Sequence, residues 1–396
     1  MPASASSLSV LLPASATVPG PLSAADSIVG LVQALKAVPD PRRRRGRRHG
    51  LQSVLPLALQ AVMAGASSWV AIAQWAATAP QALGVCGASP SAATFRRVLA
   101  AVDITAVETA LTTWVTGRQA RARAQQPAAT TAAACRTVLA VDGKTLRGSK
   151  AADGQPPKLV CVYDHAHQLV LTQVPVPGGD EVAAFALALA TLPELADVLV
   201  TADALHCQRG HADFLATRGG HYLFTVKGNQ PLLRQELMRL PWAQAPGTRR
   251  RGTGHGRTES RSIKVIDLDG PDAQALFPGA RRAIKVVRRR RVGARKPSVE
   301  IVYAVTSLDH RAADCRLLAD WLQGHWAIEN SVHHVRDVTQ REDASRIRLG
   351  AGPQLMAALR NTATNLARLN GYANIATAQR AAAWHPTAIT DALKAA

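Results

Sequence analysis

The chain has 396 residues, 47% of them hydrophobic, which excludes a disordered protein and leaves room for two or three domains. Lysine and arginine number 47 against 27 acidic residues, a net charge of +20 that asks for a polyanionic partner, nucleic acid or an anionic membrane surface. No apolar run approaches the ~18 residues of a membrane span, the start has no basic signal-peptide region, and the five cysteines form no CxxC pair, so nucleic acid in a reducing compartment is the partner expected.

Residues 1–27, rich in Ala, Ser and Pro, read as a disordered tail. The stretch "PDPRRRRGRRHG" then gathers Arg42, Arg43, Arg44, Arg45, Arg47 and Arg48 within seven positions. Helices are expected over 51–64, over 67–77 and from Ser89-Pro90 onward, with Ser as N-cap and Pro in the first helical position. The third carries "TFRRVL", with Arg96 and Arg97 exposed beside Phe95 and Val98. A helix, a turn and a basic helix suit reading of a DNA major groove, and a small bundle with a solvated charged face suits the pattern equally. Residues 28–117 are taken as a helical N-terminal domain and 118–134 as a linker.

The next stretch, "LAVDGKTLRGSK", carries a strand expected over 137–142 to its only carboxylate, Asp142, and follows it with Lys144 and Arg147. Asp-Gly is an ordinary turn dipeptide, so a solvated turn competes with a metal-holding carboxylate beside a polyanion. Strands over 158–163 and 169–174 form a hairpin around "DHAHQ", and Asp180 is placed to cap the helix "EVAAFALALATL". A buried strand "DVLVTAD" ending at Asp203, a helix over 208–218 and the strand "HYLFTV" follow. Three strands, helix, strand, helix, strand is the order of an α/β ribonuclease H-like fold, in which the first and fourth strands are neighbours. Asp142 and Asp203 would then end side by side.

From 249 to 307 the pattern turns to strands, a β-rich basic insertion in which 281–296 holds nine basic residues and no acidic one. Arg288, Arg289, Arg290 and Arg291 at its centre suit a phosphate-tracking surface. A single helix is expected from Asp314 to about Val338, burying Leu318, Trp321, Ile328, Val332 and Val335, with Gly324 its weak point. His325, Glu329, His333 and Arg336 recur on it at three- and four-residue steps. That stripe is a solvated face, a zinc site of His325, Glu329 and His333, or a setting for Glu329 as partner of Asp142 and Asp203 around magnesium.

The segments "LAVDGKTLRGS", "VTADALHCQ", "HYLFTVKGNQ", "HGRTESRSIKV" and "HWAIENSVHHVRDVTQREDASRIR" resemble the DDE transposases of bacterial insertion sequences, in the branch of the H-repeat-associated proteins. "VPDPRRRRGRRHGLQSVLPLALQAVMAGASSWVAIAQWA" and "PSAATFRRVL" are similar to that branch's associated N-terminal domain. The resemblance implies a ribonuclease H-like core over 135–248 and 308–370, interrupted by 249–307 and followed by a tail over 371–396. It places the family's catalytic aspartates on Asp142 and Asp203 and its glutamate on Glu329, holding two Mg²⁺ ions for which Mn²⁺ substitutes. Rivals to Glu329 are Glu259 on a charged insertion strand, Asp337, and Glu342 and Asp343 on backbone expected to be loosely held. Lys144, Arg147, Lys227, His325 and Arg336, with the arginine runs, become phosphate contacts. Where related transposases carry Tyr, Arg, Glu and Lys, this chain has Leu322, His325, Glu329 and Arg336, and Gln340 replaces an expected aromatic residue.

The implied activity is binding of transposon ends, metal-assisted phosphodiester hydrolysis and joining of the 3′-OH ends to target DNA. Double-stranded DNA, as inverted-repeat ends and as target, is the implied partner, met by a homodimer assembled on the ends in the nucleoid-associated cytoplasm. A structure-selective nuclease on the same fold needs the same triad without a second substrate. A non-catalytic DNA-binding repressor derived from a transposase is the other reading, and the presence of all three carboxylates counts against it.

Overall fold

In the computed structural model, residues 24–43, 45, 47–78, 88–124, 137–150, 154–254, 256–268, 276–293 and 296–384 are described. They fall into two units: one holds the described residues of 1–127, 146–157 and 329–396, the other those of 128–145 and 158–328.

The first unit is helical. It begins with α1 (Ala24–Lys36), α2 (Leu51–Met63), α3 (Trp69–Thr78), α4 (Ala92–Ala100) and α5 (Ile104–Ala124). Nearly every position of α2 is apolar, and a helix apolar all round belongs in a core; Val54, Leu55, Ala58 and Ala61 have no exposed surface. The cap of α4 is Ser91, whose Oγ accepts from Thr94 N at 3.3 Å, so the helix starts two residues later than Ser89-Pro90 suggests. Residues 24–27, expected in the tail, are the first turn of α1. Residues 118–124, expected to open the linker, instead complete α5, because Arg118, Gln119 and Ala122 are buried.

The second unit is built on a mixed sheet, whose strands lie in the order β3-β2-β1-β4-β5-β9-β8-β7-β6. Its first part runs β1 (Val138–Thr145), β2 (Lys158–Asp164), β3 (Val170–Pro175), α6 (Glu181–Ala190), β4 (Leu199–Ala202), α7 (Arg209–Thr217), β5 (His221–Val226) and α8 (Pro231–Arg239). Runs buried at every position, such as "VLAV" and "LVTA", suit strands covered on both faces. Asp180 does cap α6, its Oδ1 accepting from Ala183 N at 3.1 Å, and α6 lays Ala184, Phe185, Ala188 and Leu189 inward. The strands β6 (Gly247–Gly254), β7 (Arg257–Asp267), β8 (Arg282–Val292) and β9 (Ser298–Thr306) follow. They are not a separate sheet: β9 pairs antiparallel with β5, from Leu223 opposite Thr306 to Val226 opposite Tyr303.

The helix α9 (Cys315–Gly324) is capped by Asp314, which accepts from Arg316 N and Leu317 N, and its Leu318 joins a core of Val138, Leu199, Leu223, Ile263 and Ile284. The single helix expected to reach Val338 breaks at Gly324. A Cβ there would stand 2.7 Å from His165 Nδ1, so only glycine fits. Two π-helical turns, Glu329–His333 and Val335–Thr339, take its place in the other unit.

That unit is completed by α10 (Gly352–Leu369) and α11 (Ile375–Trp384). Leu355, Met356, Leu359 and Leu366 of α10 are buried, and the helix packs on α2, α5, α1 and α4. Residues 352–369 therefore belong with the helical unit rather than with the sheet, and part of the expected C-terminal tail is the helix α11.

Candidate active site

Parallel pairing brings two carboxylates together. On β1 and β4, Val141 is the partner of Ala202, so Asp142 and Asp203 are the next residues on strands ~4.8 Å apart. Asp203 closes β4, its Oδ1 accepting from Leu205 N at 2.9 Å to cap a tight turn over Ala204–His206. Asn229 Nδ2 and Gln230 Nε2 tie the same turn down by donating to Ala204 O and Cys207 O. Asp142 does not close its strand: β1 continues to Thr145, paired with β2 alone. Both aspartates are half-buried.

One pleat below Asp203, the Thr201 hydroxyl lies 3.1 Å from His165 Nε2 and 3.1 Å from His325 Nδ1. Burial pushes the His165 imidazole down to about 3, so it is neutral there. His325, expected on DNA, is buried against Thr201. A cavity of about 120 Å³ lies under α9, lined by Asp203, Lys227, Arg250, Arg261, Arg288 and Trp326 among others. The Trp326 indole has the Arg261 and Arg288 guanidinium groups 5.5 and 5.6 Å from its centre, within cation–π range.

The arginine block of β8 divides by strand alternation. Arg288 turns toward Glu259, at 2.9 Å, and Glu300, at 3.8 Å, while Arg261 reaches Glu259 at 2.6 Å and Arg250 pairs with Asp320. Burial opposes ionisation of Glu259, yet the Arg288 and Arg261 hydrogen bonds hold its carboxyl below the usual range. Arg289 and Arg291 point the other way. Arg289 shares its face with Ser260 and Arg251, and Arg291 with Thr258 and Thr253. All three arginines are exposed, and among the described residues none of them makes a salt bridge. Arg290 shares the face of Arg288 and is half-buried, and Lys227 is exposed at the cavity mouth.

In the helical unit, Glu329 is exposed on the first π-helical turn, its Oε2 3.3 Å from His333 Nδ1. Arg336, expected as a phosphate contact, is 1% exposed, and its guanidinium donates to Glu342 at 2.9–3.2 Å. Glu342 also accepts from Arg360 at 3.0 Å, so it is firmly held, and its carboxylate is already taken by two arginines. Asp337 is half-buried. Gly148 lets the carbonyls of Glu342, Asp343 and Ser345 approach, where a Cβ would meet them at 2.6–2.8 Å. Arg147 is exposed, 3.8 Å from Asp343.

Lys144, back on β1, is buried and offers no surface charge. At the N-terminus, Arg42 donates to Asp40 at 2.7 and 2.9 Å and to His49 O, and Arg47 donates to Asp40 O. Arg42 beside Asp40 holds that carboxyl down to about 2, so two arginines of the run build the loop, and among the described residues Arg43, Arg45 and Arg48 stand exposed. Arg44 lies outside the described residues. Arg96 and Arg97 are exposed on α4 as expected. Reading the sequence missed Asp40, His165, Thr201 and Trp326; their partners lie in the fold, and only the Trp326–His325 adjacency hinted at one of them.

Residues 133–366 match the family model described as "Transposase DDE domain", and residues 32–115 match one described as "DDE_Tnp_1-associated". The chain is 28% identical over 359 residues to "Putative transposase YncI" of Escherichia coli O157:H7, covering 86% of this chain and 88% of that one. It is 27% identical over 358 residues to "H repeat-associated putative transposase YhhI" of Escherichia coli (strain K12), covering 85% and 89%. Among solved structures it is similar to a piggyBac transposase in a synaptic complex with hairpin DNA, with a TM-score of 0.42, 10% identity, and coverage of 96% of this chain and 82% of that chain.

Proposed function

Because this chain belongs to the transposase DDE domain family, we propose that Asp142, Asp203 and Glu329 together hold divalent cations, and that the protein cuts DNA at the ends of a mobile element and joins those ends to target DNA. The observation that carries this reading is the placement of Asp142 and Asp203 at one level of two neighbouring parallel strands. The strand order β3-β2-β1-β4-β5 supports a ribonuclease H-like class for this part of the sheet.

Three carboxylates are hard oxygen donors, which suits Mg²⁺, or Mn²⁺ in its place, better than a metal that prefers nitrogen or sulfur. When bound, such ions make water a stronger nucleophile and offset charge building on the departing oxygen. The protein's own groups do the rest. β1 and β4 fix the spacing of the two aspartates. Lys227 at the cavity mouth, Arg147, and the exposed arginines of α4, β6 and β8 hold DNA phosphates without reading sequence. Two ions, a homodimer on the DNA ends and a nucleoid-associated cytoplasmic location belong to the same reading. Among the described residues no single helix is long and apolar enough to cross a membrane.

Cleavage of a transposon-end duplex is expected to require Mg²⁺ or Mn²⁺ and to stop with chelator. Glu329→Gln keeps the shape and removes the charge, so it abolishes cleavage and strand transfer while end binding, measured by fluorescence anisotropy, stays within about twofold, far short of the tenfold that ~1.4 kcal/mol represents. Asp337→Asn retains cleavage. The opposite behaviour of these two variants would make Asp337 the third carboxylate.

A further inference from the structure

We infer that Asp40 is a positioning residue for DNA: its carboxylate holds the basic loop between α1 and α2 in the form that grips phosphates. The inference rests on the proposed action on DNA and adds an acidic residue to the surface that binds it.

An acid that accepts from Leu51 N, at 3.2 Å and at the very start of α2, is ordinarily a helix cap and no more. Here the cap uses a small part of the carboxylate. Its Oδ1 also accepts from Arg42 N at 3.1 Å and from Arg42 Nε at 2.9 Å, and Oδ2 accepts from Arg42 Nη2 at 2.7 Å. Arg47 Nε stands 3.7 Å from the same Oδ2. The two oxygens offer about four acceptor positions, so the carboxylate is saturated by its own loop and the helix that follows. The sequence prepares it for this: Asp40 lies between Pro39 and Pro41, and Pro41 holds the residue before it extended.

The two arginines that it holds fix the rest of the loop. Arg42 Nη2 donates to His49 O at 2.8 Å, and Arg47 donates to Asp40 O at 3.2 Å and to Arg43 O at 3.1 Å. Carbonyls from the start, the middle and the end of the loop are thus pinned by side chains that meet at one acid. Arg42 and Arg47 are half-buried in doing so, while Arg43, Arg45 and Arg48 stand exposed.

Six arginines within seven positions repel one another, and an acid among them offsets that repulsion. The Arg42 hydrogen bond keeps the Asp40 carboxyl down at about 2, so the acid is ionised throughout the neutral range. A long side chain caught by a phosphate loses rotamer freedom, and a loop that must order itself at the same moment loses more. With the backbone at Arg43 and on both sides of Arg48 already held, less remains to be ordered when phosphates arrive. A negative charge thereby strengthens the hold on a polyanion.

The test titrates duplex DNA of arbitrary sequence with the full-length protein, reading fluorescence anisotropy at several salt concentrations. Asp40→Asn makes the protein more positive by one charge, so by charge count alone it binds tighter. The expected result is the reverse: affinity falls about fivefold or more, with helical content by circular dichroism unchanged. The slope of log K against log salt should also drop, by ~0.9 for each arginine that no longer finds its phosphate. Arg43→Ala with Arg45→Ala and Arg48→Ala should weaken binding too. Wild-type or tighter binding in Asp40→Asn, with the arginine variant weakened, overturns the role of Asp40 and leaves the proposed function standing. Wild-type binding in the arginine variant overturns the loop as a DNA contact, and this inference with it. A wild-type protein that binds no duplex overturns the proposed function as well. Should Asp40→Asn lose helical content, Asp40→Glu decides, compared where its helical signal matches the wild type. It keeps the net charge but, one methylene longer, displaces the carboxylate from Arg42, so unchanged affinity overturns the inference.

Discussion

Arg336 and Arg360 in the helical unit are 1% and 2% exposed, whereas Arg289 and Arg291 on β8 stand in solvent. Arginine occupies all four places, so residue type does not decide burial. The difference is one acid: Glu342 accepts from both buried guanidinium groups, while no acidic residue shares the face of Arg289 and Arg291 on β6, β7, β8 or β9. Within β8 the same rule separates neighbours, since Arg288 finds Glu259 and Glu300 on its side of the sheet. A buried charge is tolerated only when paired.

The strongest way to break the contrast is Arg336→Met. It leaves Glu342 buried with one partner fewer, and chemical denaturation should show a loss of about 3–5 kcal/mol, the usual cost of breaking a buried pair. A loss under ~1 kcal/mol, a surface pair's worth, would mean the cluster behaves as if solvated.

His165 sharpens the contrast from the other side, being a base buried against a hydroxyl rather than a carboxylate. Its folded-state value of about 3 lies below the ordinary 6.5, so the unfolded chain takes up the proton first. Its contribution is therefore complete above pH ~6.5 and is lost as pH falls toward 3, with about 2 kcal/mol gone by pH 5. Melting temperatures from pH 7 to 4 should show this slope in the wild type and a flatter one in His165→Gln.

The smallest stability effect belongs to the open face. Arg289→Ala with Arg291→Ala should stay within about 0.5 kcal/mol of wild type. In DNA binding the pair should matter more: the slope of log K against log salt falls by ~0.9 for each phosphate contact removed. Arg261→Ala with Arg288→Ala should change that slope less and stability more. Equal slopes for the two pairs would erase the distinction between the faces.

Much of the first part of the sheet was legible in the sequence. Short apolar strands, the Asp180 cap and the alternation of strand and helix suffice to place Asp142 beside Asp203, because those signals are local. The rest depends on partners far away along the chain. β5 pairs with β9 across some eighty residues, which no local pattern in "VEIVYAVTS" announces. The close approach that Gly324 permits is made by His165, from another strand connection. Arg336 looks like a surface cation until Arg360, from α10, joins it on Glu342. Only its setting in "HWAIENSVHH" singles out Glu329 as the proposed third carboxylate, since its charge alone does not separate it from Asp337 or Glu342.

The helical unit is assembled from both ends of the chain: α2 packs against α10, which follows it by about 290 residues. A ribosome adding ~5–20 residues per second therefore delivers α10 about 15–60 s after α2, and for that interval an apolar helix has only the cover that α1, α3 and α4 provide. A message truncated anywhere before α10 would leave the α10-facing side of that helix permanently uncovered. Such fragments should be drawn to chaperones and proteases, whereas the sheet, whose strands all precede α9, is complete before the last stretch is made.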